Sequence, residues 1–91
     1  MAVTVRIPTP LRRYTQEKET VSVTAATVGE LLPNLEKAAP GIKERLLDDG
    51  GQLRRFVNVY VKDEDVRFLG GLEAPLSDGD EVVVLPAVAG G

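Results

Sequence analysis

The sequence predicts an α+β domain in which a mixed sheet of four to five strands packs on one helix. Three observations predict it. Alternating valines occur in residues 3–5, 21–23 and 57–61, a single amphipathic stretch with a start signal lies between the second and third sets, and an unbroken apolar run stands close to the last residues. Apolar residues at every second position mark a strand with one buried face, and spacings of three and four mark a helix. A strand apolar at every position is expected in the middle of a sheet.

The elements follow in order. Val3, Val5 and Ile7 alternate with Thr4 and Arg6, and Pro8 and Pro10 close this first strand. A loop runs through Lys18. Residues 20–24, TVSVT, alternate again with Val21 and Val23 inward, and the short connection predicts an antiparallel hairpin with the first strand. In TVGELLPNLEKAAPG, residues 27–41, Thr27 and Glu30 have capping-box spacing, while Val28, Leu31, Leu32 and Leu35 form one apolar stripe. Pro40-Gly41 stops this helix. Pro33 conflicts with it: a proline inside a helix removes a donor and clashes one turn back, at a cost of about 3 kcal/mol. A bend or an adjusted first turn is expected there.

Residues 41–51 predict one further short helical turn on Ile42, Leu46 and Leu47, broken by Gly50-Gly51. In FVNVYVKDEDVRFLGG, residues 56–71, Val57, Val59 and Val61 share one face of a strand, and Phe56, Asn58 and Tyr60 share the other. KDEDV reads as an acidic turn, Val66 and Phe68 as a short returning strand, and Gly70-Gly71 as its end. Asp78-Gly79 signals a tight turn into Val82, Val83, Val84 and Leu85, a central strand expected to be buried on both sides or nearly so. Pairing the first and last strands in parallel, with the helix crossing one face, satisfies the short connections and buries the valines. That is the β-grasp arrangement, with neither terminal strand at an edge.

Composition narrows the function. With 91 residues the chain holds one core and leaves little room for a buried enzyme cleft. The formal charge of −3 does not suit a surface for nucleic-acid phosphates. Cysteine and histidine are absent, which removes disulfides, thiol nucleophiles, the usual zinc ligands and the commonest general base. No run approaches the roughly 20 apolar residues of a membrane span and the N-terminal stretch has no apolar signal region, so no membrane partner and a cytoplasmic location are expected.

Several clusters have a plain reading. Asp63, Glu64 and Asp65, with Asp78 and Asp80, lack the ligand pattern of a calcium loop and read as solvated turns. Arg12, Arg13, Arg54 and Arg55 read as surface charge, with docking to an acidic partner as the other possibility. Phe56, Asn58 and Tyr60 form a protein-binding patch if their sheet face is open; otherwise they pack beneath residues 41–51.

The final stretch, AVAGG, is different. A Gly-Gly end by itself is a frayed tail, but this one follows the central strand directly after Pro86, and five extended residues reach about 17 Å at about 3.3 Å each. The expected organisation is a domain over residues 1–86 carrying a flexible tail over 87–91. Gly90 and Gly91, without side chains, let a backbone pass down a narrow channel close to a reacting group. Ala87, Val88 and Ala89 would line that channel. The working atom is then the Gly91 carboxylate, a poor electrophile until adenylated by a partner with ATP. Attack by sulfide on the acyl-adenylate gives a thiocarboxylate, so a cysteine-free chain can carry sulfur.

The element order together with DGDEVVVLPAVAGG, residues 78–91, resembles the ubiquitin-like sulfur carrier proteins of the ThiS/MoaD family over essentially the whole chain. FVNVYVKDEDVRF, GGL and LPAVAGG look most like the CysO type within it. The resemblance implies a carrier that is not an enzyme and binds no cofactor itself. It further implies activation of Gly91 by an adenylyltransferase of the ThiF/MoeB kind and sulfur delivery to an acceptor enzyme. For the CysO type that acceptor is a PLP-dependent, cysteine synthase-like enzyme using O-phosphoserine, and a metal-dependent peptidase then releases cysteine. MoaD-like tails commonly have two prolines where this chain has Pro86 and Ala87, which weakens a molybdopterin role. A thiosugar or the thiazole of thiamine remains an alternative destination for the sulfur. Two other readings stand beside this one: a ubiquitin-like modifier joined through Gly91 to lysines, and a plain adaptor acting through Phe56, Asn58 and Tyr60.

Overall fold

The computed structural model describes residues 2–54 and 57–86. Strands β1 (Ala2–Arg6) and β2 (Thr20–Thr24) form the expected antiparallel hairpin, with Val3 opposite Val23 and Val5 opposite Val21. Their connection is not the plain loop expected through Lys18 but holds a 3-10 helix, Thr9–Thr15. Helix α1 (Val28–Ala38) starts where the capping box put it: the Thr27 hydroxyl accepts from the Glu30 amide at 3.2 Å. The Glu30 carboxylate reaches back one residue further than the standard box and accepts from the Ala26 amide at 3.0 Å.

α1 is continuous across Pro33, which sits on its exposed side, where water can satisfy the carbonyl that loses its donor. Val28, Leu31, Leu32 and Leu35 are buried as one stripe. The short helix α2 (Ile42–Leu46) follows and buries Ile42 and Leu46 in the same core.

β3 (Val57–Val61) turns tightly through Lys62 and Asp63, both in the left-handed region with φ of 53° and 67°. The chain therefore returns at once, and β4 is Glu64–Asp65, pairing Asp65 with Tyr60 and Glu64 with Val61. This corrects the returning strand expected at Val66 and Phe68. Those residues form a 3-10 turn, because the Asp65 side chain accepts from the Arg67 amide at 2.9 Å and bends the backbone out of the ladder. Val66 enters the core and Phe68 is 85% exposed.

β5 (Glu81–Pro86) lies between β1, to which it is parallel, and β3, to which it is antiparallel. The sheet order is β2-β1-β5-β3-β4, so neither terminal strand is an edge. This is the β-grasp arrangement. The expectation that β5 is buried on both sides fails. Val82 and Val84 are 0% and 2% exposed, but Leu85 is 46% exposed and Val83 is half-buried. The buried valines of β1, β3 and β5 share one core cluster with both helices, so among the described residues only one face of the sheet is covered.

Candidate functional site

β5 is paired on both sides as far as Val83, and from Val84 to Pro86 it is held by β3 alone. Pro86 is its last paired residue, opposite Val57, and Leu85 is opposite Asn58. The tail that begins there, Ala87, Val88, Ala89, Gly90 and Gly91, lies outside the described residues, as do Arg55 and Phe56. The described residues that lead up to it form a platform.

That platform is the uncovered sheet face. Asn58 and Tyr60 are on it, half-exposed, on the side away from the buried valines of β3. The ladder sets Asn58 beside Leu85, and Tyr60 beside Val83, whose other neighbour is Arg6. Arg6 also stands 3.4 Å from Glu81, an exposed pair of small energetic weight. The face thus has an apolar centre, Val83 and Leu85, with polar and charged groups around it, which is the make-up of a protein-docking surface. A cleft of about 290 Å³ opens beside it, walled by Ile7, Pro8, Val83 and Leu85 with Arg6 and Arg12 among its lining.

One residue that the sequence reading missed organises this region. Arg67 donates to the Asn58 side chain at 3.0 Å and to the carbonyls of Val57 at 2.8 Å and Arg54 at 3.2 Å, while lying 3.6 Å from Asp65. One guanidinium therefore clamps the start of β3, the stretch that pairs with the end of β5. No local pattern announces this, since its partners are nine to thirteen residues away and are mostly backbone carbonyls.

The acidic residues do structural work. Asp65 caps the 3-10 turn, and the Asp78 carboxylate accepts from the Ala2 amide at 2.9 Å. Asp80 departs from the solvated turn expected of it: it is 8% exposed, accepts from the Ser77 amide at 2.8 Å and lies 3.6 Å from the Lys62 ammonium. Burial is tolerable because both its oxygens have partners. Glu36 on α1 accepts from the amides of Gly41 and Lys43, and those two bonds, the Gly41 bond first, hold its carboxyl below the ordinary value. It caps α2 from outside. The arginines are tied down separately, Arg12 to the Ile7 carbonyl and Arg54 to the Glu44 carbonyl, while Arg13 stacks near Tyr14. Among the described residues, no group of three or more acidic side chains is placed to hold a metal, and no helix is long and apolar enough to cross a membrane.

Comparison with known proteins decides the family. The ThiS family model matches residues 5–91. The chain belongs to the ThiS family. This ThiS-family chain is 54% identical, over the whole length of both proteins, to the sulfur carrier protein CysO of Mycobacterium tuberculosis. It also superposes on a chain in the crystal structure of the Amycolatopsis orientalis BexX/CysO complex with a TM-score of 0.92 and 54% identity, covering 98% of this chain and 99% of that one. Small archaeal modifier protein 3 of Haloferax volcanii is 44% identical over 66 residues, 72% of this chain and 71% of its own length. The fold is accordingly the ubiquitin-like β-grasp.

Proposed function

We propose that this ThiS-family chain is a sulfur carrier whose Gly91 carboxylate is activated and converted to a thiocarboxylate that donates sulfur in biosynthesis, that of cysteine first of all. The observation that carries the reading is the full-length 54% identity to a sulfur carrier protein, in an alignment that takes in Gly90 and Gly91 as well as the whole of the relative. The uncovered face of β5, which leads straight into residue 87, supports it as a place for partners to dock.

The chemistry balances without any group on this chain beyond its terminal acid. A carboxylate oxygen of Gly91 attacks the α-phosphorus of ATP held by an adenylyltransferase of the ThiF/MoeB kind, and pyrophosphate leaves. Hydrosulfide then attacks the carbonyl carbon and AMP departs with the electron pair of the broken C–O bond. The thiocarboxylate passes to an acceptor enzyme, cysteine synthase-like in this reading, and a metal-dependent peptidase releases the product from the carrier. Ala87 to Gly90 thread the partner's channel, the glycine letting the backbone approach closely. Asn58 and Tyr60, together with Phe56, orient the carrier on its partners.

The test is reconstitution. Mixed with ATP, an activating enzyme and sulfide, the protein gains the mass difference between sulfur and oxygen at its last residue, and deleting Gly91 abolishes the gain. If a chain extended by one alanine still passes sulfur to an acceptor, the reading is wrong. The likeness to a small archaeal modifier protein supports a second reading, conjugation of Gly91 to lysines. Branched Gly-Gly remnants on lysines of cellular proteins, found together with no terminal thiocarboxylate, would replace the first reading by the second.

A further inference from the structure

The two edges of the sheet are built differently. At one end β4 is only Glu64–Asp65, two charged residues that run straight into a 3-10 turn. A short, charged edge offers an incoming strand little to pair with. At the other end β2 keeps an unbroken register with β1 along Thr20–Thr24, and TVSVT contains neither a charge nor a proline. Charge, proline and bulge, the devices that commonly blunt an edge, are all missing from it.

The ladder decides which groups that edge presents. The Ile7 amide bonds to the Glu19 carbonyl at 2.8 Å, so the odd-numbered residues of β2 turn their main-chain groups to β1 and the even-numbered ones turn theirs outward. Thr24 fits this phase, and its carbonyl is occupied, since it accepts from the Asn34 side chain of α1 at 2.6 Å. Thr20 and Ser22 differ from it. Among the described residues, no main-chain group bonds to their outward N–H and C=O groups, and no strand lies beyond them.

A cleft of about 340 Å³ runs along this edge and takes in Thr20 and Ser22. Its apolar wall is Val21 of β2, Tyr14 of the 3-10 helix, and Ala38 and Pro40 at the end of α1. Val21 stands opposite Val5, which is 0% exposed, and on the same side of the strand as buried Val23, yet it is itself only half-buried. An aliphatic side chain laid against it would complete the row. Among the described residues lining the cleft, Lys18 alone is charged, and the neighbouring Glu19 turns toward Arg12 at 4.0 Å.

We propose that the edge of β2 receives an extended segment of another protein as a sixth strand, antiparallel to β2, with an aliphatic residue opposite Val21 and a carboxylate near Lys18. The partner residues opposite Thr20 and Ser22 exchange main-chain bonds with them. The residue between those two makes the close, non-hydrogen-bonded pair with Val21, and the pleat points its side chain the same way as Val21, into the cleft. Its neighbours fall on the other side, beside the Thr20 and Ser22 hydroxyls, and are polar. Antiparallel direction carries the segment on past Glu19, so the carboxylate belongs about three residues after the aliphatic one. A second copy of this chain, centred in the same way, would set its Val21 against Val21 but its Thr24 against Lys18. It brings no carboxylate there, and charge complementarity favours a separate partner. The site uses none of residues 87–91 and is independent of the tail's chemistry.

The probe is a capped peptide of alternating threonine and valine that ends in two glutamates, titrated into the full chain and followed by amide chemical shifts. Saturable shifts are expected at residues 14–22 and 38–40. Methylating the peptide amides that pair with Thr20 and Ser22 should weaken binding about tenfold through the loss of main-chain bonds. Ser22→Pro should do the same and leave the protein folded, because the Ser22 N–H points outward and no bond to β1 depends on it. Lys18→Glu, at an exposed side chain, should weaken binding about fivefold, and it keeps the test decisive if the proline variant unfolds. Shifts that never saturate, or that scatter over other surfaces, overturn the proposal. So does equal binding by the methylated peptide or by Lys18→Glu. Concentration-dependent shifts of the same amides without peptide would make the occupant a second copy and overturn it too.

Discussion

Val82 and Val83 are consecutive residues of one strand with opposite fates. Val82, with Val84, is sealed beneath α1 and α2 among the valines of β1 and β3, while Val83, with Leu85, lies on a face that no helix covers. Chemically the four side chains are near-equivalent. What separates them is the pleat, which points alternate residues to opposite sides of the sheet, and the fact that both helices pack on the same side. The strand thereby holds the domain together with one set of residues and leaves the other set exposed, on the face that the proposed docking would use.

The strongest way to break this contrast is a charge on the covered side. Val82→Asp puts a carboxylate into an apolar core with no partner and should destabilise the domain by about 4 kcal/mol or more, enough to abolish the cooperative thermal transition. A well-folded Val82→Asp protein would mean that this face is not the core. Next in size is Arg67→Ala. Removing the clamp leaves the Asn58 side chain and two carbonyls to water, with an expected cost of about 1–2 kcal/mol and faster amide exchange at the start of β3, readable by denaturant unfolding and hydrogen exchange.

On the open side the expectation reverses. Leu85→Ser should leave the melting temperature nearly unchanged, within about 0.5 kcal/mol of stability, and yet, on the proposed function, slow activation by an adenylyltransferase about tenfold through its KM. A large loss of stability from Leu85→Ser would show that the face is packed and not free. The smallest effect concerns Glu36. Because its folded pKa lies below the ordinary carboxylate value, its contribution is present above that value and is lost as the pH falls through the lowered one. Glu36→Gln should remove that part of the acid-side decline in stability and leave the neutral-pH docking behaviour untouched, which unfolding curves at a series of acidic pH values will show.

Much of the fold was legible because its signals are local. The alternation in β1 and β3 identified their buried faces correctly, and the Thr27–Glu30 spacing located the helix start. Asn58 and Tyr60 were assigned to the face opposite the buried valines, where they are found. Three features escaped the sequence, the first through a local side-chain cap and the other two through partners wholly or partly distant in the chain. The return strand moved to Glu64–Asp65 because a side-chain cap at Asp65 competed with the ladder. Asp80 went inward because the Ser77 amide and the Lys62 ammonium meet it there. Arg67 gave no sign of itself, since its partners come together only once β3 and the turn after β4 are both in place.

By itself the sequence determined the elements, their inward sides where polar and apolar residues alternate, and the family, through the motifs of residues 78–91. Tertiary structure alone decided how many layers cover the sheet, and so that Val83 and Leu85 face outward. In a run where every residue is apolar the pleat leaves no mark, and burial then depends on what packs against the strand from elsewhere in the chain.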